Sequence, residues 1–188
     1  MAASDFENNE EPPAAPPAGK DRSAPLSAAA VGERLEEEIN RSARHGTPLS
    51  CLLVTVGNLG ELAREHGEEL TEQTLTYIGH ALAPQLRSFD RVGRPSEFEL
   101  LVMLPGADGP RGELVARRAL ARLRTIKVEA EGERRPLDIS IGLATWRPQE
   151  SGDELLERAR AASRRPDGGG DGALSGASPP ALGRPPTA

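Results

Sequence analysis

Apolar positions recur through the middle of the chain with two different periods. Spacings of three and four residues predict amphipathic helices over residues 31–45, 59–66, 68–86, 111–127 and 152–163. Short runs that are apolar throughout, or that alternate, predict strands over residues 49–56, 90–93, 98–104, 128–130 and 137–145. Helices and strands are interleaved by hairpin and crossover connections, so we expect an α+β fold in which helices cover a central mixed or antiparallel sheet.

The strand Leu49–Val56 is apolar enough to be central and buried on both faces of the sheet. Its residues Leu52, Leu53 and Val54 should therefore all be buried. Aromatic residues make up only 3% of the chain, so the core must be built from leucine, valine, isoleucine and alanine.

The two ends of the chain lack hydrophobic periodicity. The start is rich in proline and alanine, and the end is rich in glycine, proline and serine. Segments of this composition bury too little apolar surface to fold alone. We predict disordered tails over residues 1–27 and 165–188, with one folded domain over residues 28–164.

Charge and composition narrow the class of protein. The chain has a formal net charge of −6 at pH 7, and an acidic chain with few aromatics argues against nucleic-acid binding. No apolar run approaches the length that spans a bilayer, and no signal-peptide pattern is present. The single cysteine, Cys51, excludes an internal disulfide and suits a reducing compartment. We expect a cytoplasmic protein with no nucleic-acid or membrane partner and no cofactor.

A β-hairpin is predicted between Phe89 and Pro105. Its turn is expected at Arg94–Glu97, because proline fixes φ and serine can bond its own backbone. A charged turn between two core strands can present side chains to a ligand, although ordinary surface turns have the same composition.

This hairpin resembles that of GGDEF domains, the diguanylate cyclase family. The shared features are Asp90, Arg94, the pair Glu97-Phe98, and an apolar strand that ends in Leu-Pro. Three further runs resemble the family's leading helix, late strand and last helix: Arg41–Leu49, Ser140–Ala144 and Asp153–Ala159. The resemblance covers roughly residues 31–163 and implies a GGDEF-like fold.

The resemblance also aligns the family's active-site positions with residues of this chain, and several of these residues differ from those of the family. In the family, metal-bound carboxylates support the attack of a 3′-hydroxyl on the α-phosphate of GTP. The family's metal-binding aspartate corresponds to Thr55, and its next aspartate to Gly57. An asparagine and an aspartate that contact guanine correspond to Ala63 and to Glu72, the latter a substitute of the same charge. The lysine near the phosphates corresponds to Gly60.

The turn departs from the family pattern as well. It is two residues shorter, and Pro95 and Ser96 stand where the family has glycines, so that only Glu97 and Phe98 match. Near the last helix the family's Ala-Asp is Ala159 followed by arginine. We therefore expect a degenerate turn, no catalytic residue, no metal site and no enzymatic activity. The alternative is an active diguanylate cyclase with a divergent active site.

One binding motif of the family is present. Arg87 and Asp90 match the RxxD inhibitory-site pattern, which implies binding of cyclic di-GMP, with Arg94 as a third contact. Arg87 could instead cap the preceding helix. The resemblance thus implies a signalling module that is either a cyclic di-GMP receptor or a protein-interaction scaffold, with a signalling protein or a second copy of the chain as partner.

Overall fold

The computed structural model describes residues 25–130, 132–164 and 174–177. The helices in these ranges are α1 (Ala28–His45), α2 (Leu59–His66), α3 (Glu68–Leu82), α4 (Gly109–Leu123) and α5 (Gly152–Ser163). The strands are β1 (Leu49–Val56), β2 (Arg91–Ser96), β3 (Glu99–Pro105), β4 (Lys127–Ala130), β5 (Glu133–Pro136), β6 (Ile139–Thr145) and β7 (Leu174–Ala177).

A five-stranded sheet with the order β2-β3-β1-β6-β7 forms the centre of the domain. β1 pairs antiparallel with both β3 and β6, and β7 pairs parallel with β6 at one edge. β4 and β5 form a separate antiparallel hairpin. The predicted α+β fold with a mixed, largely antiparallel sheet is confirmed.

Helices pack on both faces of this sheet, as alternation along β1 requires. One face joins α1 and α5 through a core that includes Leu35, Cys51, Leu53, Met103 and Leu155. The opposite face packs against α2, α3 and α4 through residues that include Leu52, Val54, Leu59, Ile78, Val102 and Leu120. Leu52, Leu53 and Val54 are each at most 1% exposed, so the prediction that β1 is buried on both faces is confirmed.

Local sequence signals explain where the helices begin and end. Gly46 ends α1 in the left-handed region, with φ at 63°, where glycine carries no steric penalty. Ser151 and Glu154 form a capping box at the start of α5. α3 ends at Leu82, earlier than predicted, and a 3₁₀ turn follows it because Pro84 has no N–H to continue the helix.

The hairpin differs from the prediction in the position of its turn. β2 runs through Pro95 to Ser96, and the turn consists of Glu97 and Phe98. A register shift lies between Gly93 and Ser96. β2 is the edge strand, where proline is tolerated because its missing N–H costs no ladder bond. The expectation of a turn at Arg94–Glu97 is therefore wrong by two residues.

A short segment before α1 covers the free edge of β2. The Leu26 N–H donates to the Val92 carbonyl at 3.1 Å, and the Arg94 N–H donates to the Leu26 carbonyl at 2.8 Å. Gly93 lies between these two bonds, and a Cβ there would collide with the side chain of Val31. Glycine at this position lets α1 approach the edge strand closely.

Other differences lie at the periphery. β5 occupies Glu133–Pro136, between two predicted strands, and β7 lies within the segment predicted to be a disordered tail. Residues 1–24, 165–173 and 178–188 lie outside the described residues, so the tails and the domain limits of 28–164 stay predictions. Among the described residues, no helix has the length and hydropathy to cross a membrane.

Candidate functional site

Three polar side chains line up across the sheet at the end of β1. Glu99 on β3 and Ser140 on β6 both stand opposite Thr55. All three lie on the face that carries Leu53, because residues two apart on a strand share a face. The hydroxyl groups of Thr55 and Ser140 are hydrogen-bonded at 2.5 Å. Thr55, which the resemblance aligns with the family's metal-binding aspartate, thus carries a neutral hydroxyl bonded to a second hydroxyl.

Glu99 is held by an arginine from α5. The Nε of Arg160 donates to Glu99 Oε1 at 2.8 Å, and its Nη2 donates to Oε2 at 2.7 Å. The Ser96 hydroxyl donates to Oε2 at 2.7 Å, and Glu157 binds the remaining end of the guanidinium. These contacts lower the pKa of Glu99, first through Arg160, and they raise the pKa of Arg160. The pair fixes the start of β3 against α5.

The turn of the hairpin is bound to α3 and α2. Arg94 forms a bidentate ion pair with Glu72 on α3 and also donates to the Glu97 carbonyl at 3.3 Å. The Phe98 ring packs on the core and lies beside Gly60 of α2, where a Cβ would touch it at 3.8 Å. The side chain of Glu97 is exposed. The hairpin tip is therefore positioned by its neighbours on both sides.

Asp138 supplies a carboxylate that sequence matching did not identify. Its Oδ2 lies 2.6 Å from the point where a Cβ of Gly57 would be, and the Gly57 N–H donates to the Asp138 carbonyl at 2.7 Å. Asn58 Oδ1 accepts from the Asp138 N–H. A carboxylate from the short connection between β5 and β6 thus fills the space of the side chain that Gly57 lacks.

These donors do not fit a metal site built by the protein alone. Mg²⁺ prefers hard oxygen ligands, usually carboxylates, but Thr55 is neutral and Glu99 is already bound by Arg160. In the part of the chain that the structure describes, no group of three or more His, Cys, Asp or Glu residues could hold a metal ion. We therefore assign no step of any reaction to a metal held by these side chains.

The RxxD segment forms a closed loop before β2. The Arg87 N–H donates to Asp90 Oδ2 at 2.6 Å, and the Asp90 N–H donates back to the Arg87 carbonyl at 3.2 Å. Arg91 also donates to the Ser88 and Asp90 carbonyls. The Arg87 guanidinium lies 5.8 Å from the centroid of the exposed Phe89 ring. Reciprocal hydrogen bonds close the loop, and the Arg87 side chain is exposed.

The third residue of the predicted ligand site lies apart from this loop along β2. Arg94 is engaged with Glu72, and its side chain is 23% exposed. Its guanidinium is thus already bound within the protein.

Comparison with known proteins identifies the family. The family model for the diguanylate cyclase GGDEF domain matches residues 28–167, well over half of the chain. The chain therefore belongs to the GGDEF domain family of diguanylate cyclases.

Two curated relatives have the same class name. Diguanylate cyclase DgcP from Pseudomonas aeruginosa is 27% identical over 131 residues, which cover 70% of this chain and 20% of DgcP. Diguanylate cyclase DosC from Escherichia coli K12 is 29% identical over 125 residues, which cover 66% of this chain and 27% of DosC. The chain thus spans about a quarter of the length of these relatives, or less.

Solved structures show the same fold. One is diguanylate cyclase SiaD from Pseudomonas aeruginosa, solved in complex with its activator SiaC. Its superposition has a TM-score of 0.67 at 28% identity, and the matched region covers 72% of this chain and 52% of SiaD. The GGDEF domain of DgcB from Caulobacter crescentus, solved in complex with c-di-GMP, has a TM-score of 0.72 at 16% identity over 80% of this chain and 90% of its own.

The prediction that the chain is not an enzyme is wrong on these findings. The matched family and both curated relatives are named diguanylate cyclases, which points to an enzyme class. The replacements at Thr55 and in the turn are present, but no comparison identifies the motif as degenerate.

Proposed function

We propose that this chain is a cyclic di-GMP signalling domain that carries diguanylate cyclase activity in a divergent active site. The observation that carries the proposal is the family match over residues 28–167, together with relatives that are all named diguanylate cyclases. An active cyclase is the alternative hypothesis from the sequence, and the comparisons support it better than the hypothesis of an inactive module.

The reaction joins two GTP molecules. The 3′-oxygen of each attacks the α-phosphorus of the other, two phosphodiester bonds form, and two pyrophosphates leave. Reaction therefore requires that each base be held so that the hydroxyl faces the phosphate. We assign base recognition to Glu72, since a carboxylate can accept from both N1–H and the 2-amino group of guanine. Glu99, fixed by Arg160, orients the strand that carries the turn.

Incubation of the protein with GTP and Mg²⁺ or Mn²⁺, followed by chromatography of the nucleotides, tests this function. We expect cyclic di-GMP above a no-enzyme blank, and less of it with Glu72→Ala, which removes the base acceptor. Arg117→Ala breaks an exposed ion pair on α4 with Glu113 and serves as the matched control with unchanged yield. Absence of product from the wild-type protein with either metal would refute the proposal.

Binding of cyclic di-GMP through Arg87 and Asp90 is a second candidate function. Its support is the RxxD pattern together with the closed loop, in which the Asp90 carboxylate accepts the Arg87 backbone N–H and the Arg87 side chain is exposed near the Phe89 ring. Arginine offers a planar fork to phosphate or to the guanine edge. Arg94 is the proposed third contact, available when its ion pair with Glu72 opens.

Calorimetry with cyclic di-GMP can distinguish binding at Arg87 and Asp90 from binding at the tip of the hairpin. Loss of a charge-assisted hydrogen bond costs about 1.5–3 kcal/mol, roughly tenfold or more in affinity. Arg87→Ala should therefore abolish measurable binding, and Glu97→Ala, with its exposed side chain, should leave binding unchanged. Binding that persists in Arg87→Ala would place the ligand elsewhere, and no heat from the wild-type protein would refute a receptor role. A protein partner or homodimer stays a prediction.

A further inference from the structure

Glu72, the carboxylate proposed to bind the guanine base, already forms a bidentate ion pair with Arg94. Arg94 Nη1 donates to Glu72 Oε2 at 2.6 Å, and Nη2 donates to Oε1 at 2.9 Å. Arg94 also reaches the Glu97 carbonyl, so this one side chain joins α3 to the tip of the hairpin. The side chain of Glu72 is 61% exposed, and the carboxylate is open to a ligand from solvent.

The two donors of a guanidinium match the two donors of guanine. The Watson–Crick edge of guanine presents N1–H and N2–H side by side, and an arginine fork presents two parallel N–H groups in the same way. Adenine presents one donor and one acceptor at that edge, so it cannot replace the fork. Glu72 cannot accept the fork of Arg94 and the edge of guanine at the same time.

The other described carboxylates at this end of the site do not offer the same geometry. Glu99 is held by Arg160 and Ser96, and both its oxygens accept bonds within the protein at 12% exposure. Glu97 is exposed at the turn, and Asp138 lies over Gly57 at the end of β1. The ion pair with Arg94 also lowers the pKa of Glu72, which keeps the carboxylate ionised and able to accept.

We propose that Arg94 acts as a built-in competitor of guanine for Glu72, so that the domain attenuates its own affinity for guanine nucleotides until this ion pair opens. The inference rests on the proposed function, in which Glu72 reads the base. An ion pair with this exposure stabilises the closed state only modestly, by an amount that corresponds to about a two- to fivefold effect on affinity. The pair therefore tunes binding and does not block it.

Nucleotides that cannot react isolate the binding step. 3′-Deoxy-GTP lacks the attacking hydroxyl, and 3′-deoxy-ATP is the matched nucleotide whose base does not fit the carboxylate. We expect Arg94→Ala to tighten 3′-deoxy-GTP about two- to fivefold in calorimetry and to leave 3′-deoxy-ATP unchanged. Arg94→Lys, which keeps a charge but loses the fork, should give a smaller gain. Arg117→Ala should change neither nucleotide.

A double-mutant cycle identifies Glu72 as the residue under competition. In a Glu72→Gln background, Arg94→Ala should give no further gain, because the carboxylate that Arg94 occupies is gone. A weaker or unchanged affinity in both Arg94→Ala and Arg94→Lys would overturn the inference while the proposed function stands, and so would a gain that persists in Glu72→Gln. If the wild-type protein binds no 3′-deoxy-GTP, the proposed function fails and the inference falls with it. Thermal melts monitored by circular dichroism check that each variant is folded.

Discussion

The ion pair between Arg160 and Glu99 is expected to make a measurable contribution to stability. Arg160→Ala removes two charge-assisted hydrogen bonds, at 2.8 and 2.7 Å. It leaves a carboxylate of 12% exposure with the Ser96 hydroxyl as its remaining donor in the described residues. Loss of one partner from a fully buried pair costs roughly 3–5 kcal/mol. Because both side chains keep some contact with water, we expect about 2–3 kcal/mol at pH 7.

The loss of unfolding free energy caused by Arg160→Ala should decrease at low pH. Arg160 lowers the pKa of Glu99 in the folded state. The pKa of an unfolded glutamate is ordinarily about 4.3. A carboxyl whose pKa is lower in the folded protein contributes its full stabilisation at pH values above the unfolded pKa. It loses that stabilisation as the pH falls through the folded pKa. The difference in unfolding free energy between the wild-type protein and Arg160→Ala should therefore be full at pH 7 and shrink below about pH 4.

Urea unfolding at pH 7 and at pH 3 measures both effects. Arg117→Ala is the matched control, since its pair with Glu113 leaves the two side chains 68% and 47% exposed, and exposed pairs contribute about 0–1 kcal/mol. An Arg160→Ala cost equal to that of Arg117→Ala, or a cost that does not change with pH, would show that the pair does not hold the hairpin.

Two further predictions concern the core. Leu53→Ala should lower the unfolding free energy by about 2–5 kcal/mol because Leu53 is fully buried, and a loss under about 0.5 kcal/mol in urea unfolding would contradict this burial. Gly142→Ala should cost about 3 kcal/mol or more, since a Cβ would collide with the backbone of Ala159. Gly32→Ala is the control, because a Cβ at this position in α1 meets nothing within 4 Å. It should stabilise the protein by roughly 0.5–1 kcal/mol. Equal effects of Gly142→Ala and Gly32→Ala would refute the close approach of α5 to β6.

Much of the fold follows from local signals in the sequence. The periods of apolar residues place α2 and β1 at their observed bounds, and Ser151 gives the start of α5, because capping and amphipathicity act within a few residues. The hairpin turn was misplaced because Pro95 and Ser96 have turn composition. Only the position of β2 at the edge of the sheet makes proline acceptable inside a strand.

The candidate site was less accessible from sequence because its contacts join distant residues. Glu99 and Arg160 are 61 positions apart, and Arg94 and Glu72 are 22 apart. Matching to a family asks which residue occupies each position, so a carboxylate supplied from a distant connection, such as Asp138 beside Gly57, goes unnoticed. Strand register is the signal that would have placed Glu99 and Ser140 beside Thr55.

The bridge between Leu26 and β2 has a mechanical consequence. Leu26 comes two residues before α1, and its carbonyl accepts the N–H of Arg94, whose side chain binds Glu72. A force on the chain ahead of α1 is therefore transmitted to the strand that carries Arg94 through the two backbone hydrogen bonds of Leu26. Amide hydrogen exchange at Arg94 reports directly on that attachment. Leu26→Pro removes the N–H that bonds the Val92 carbonyl, and it should raise exchange at Arg94 if the two bonds open together.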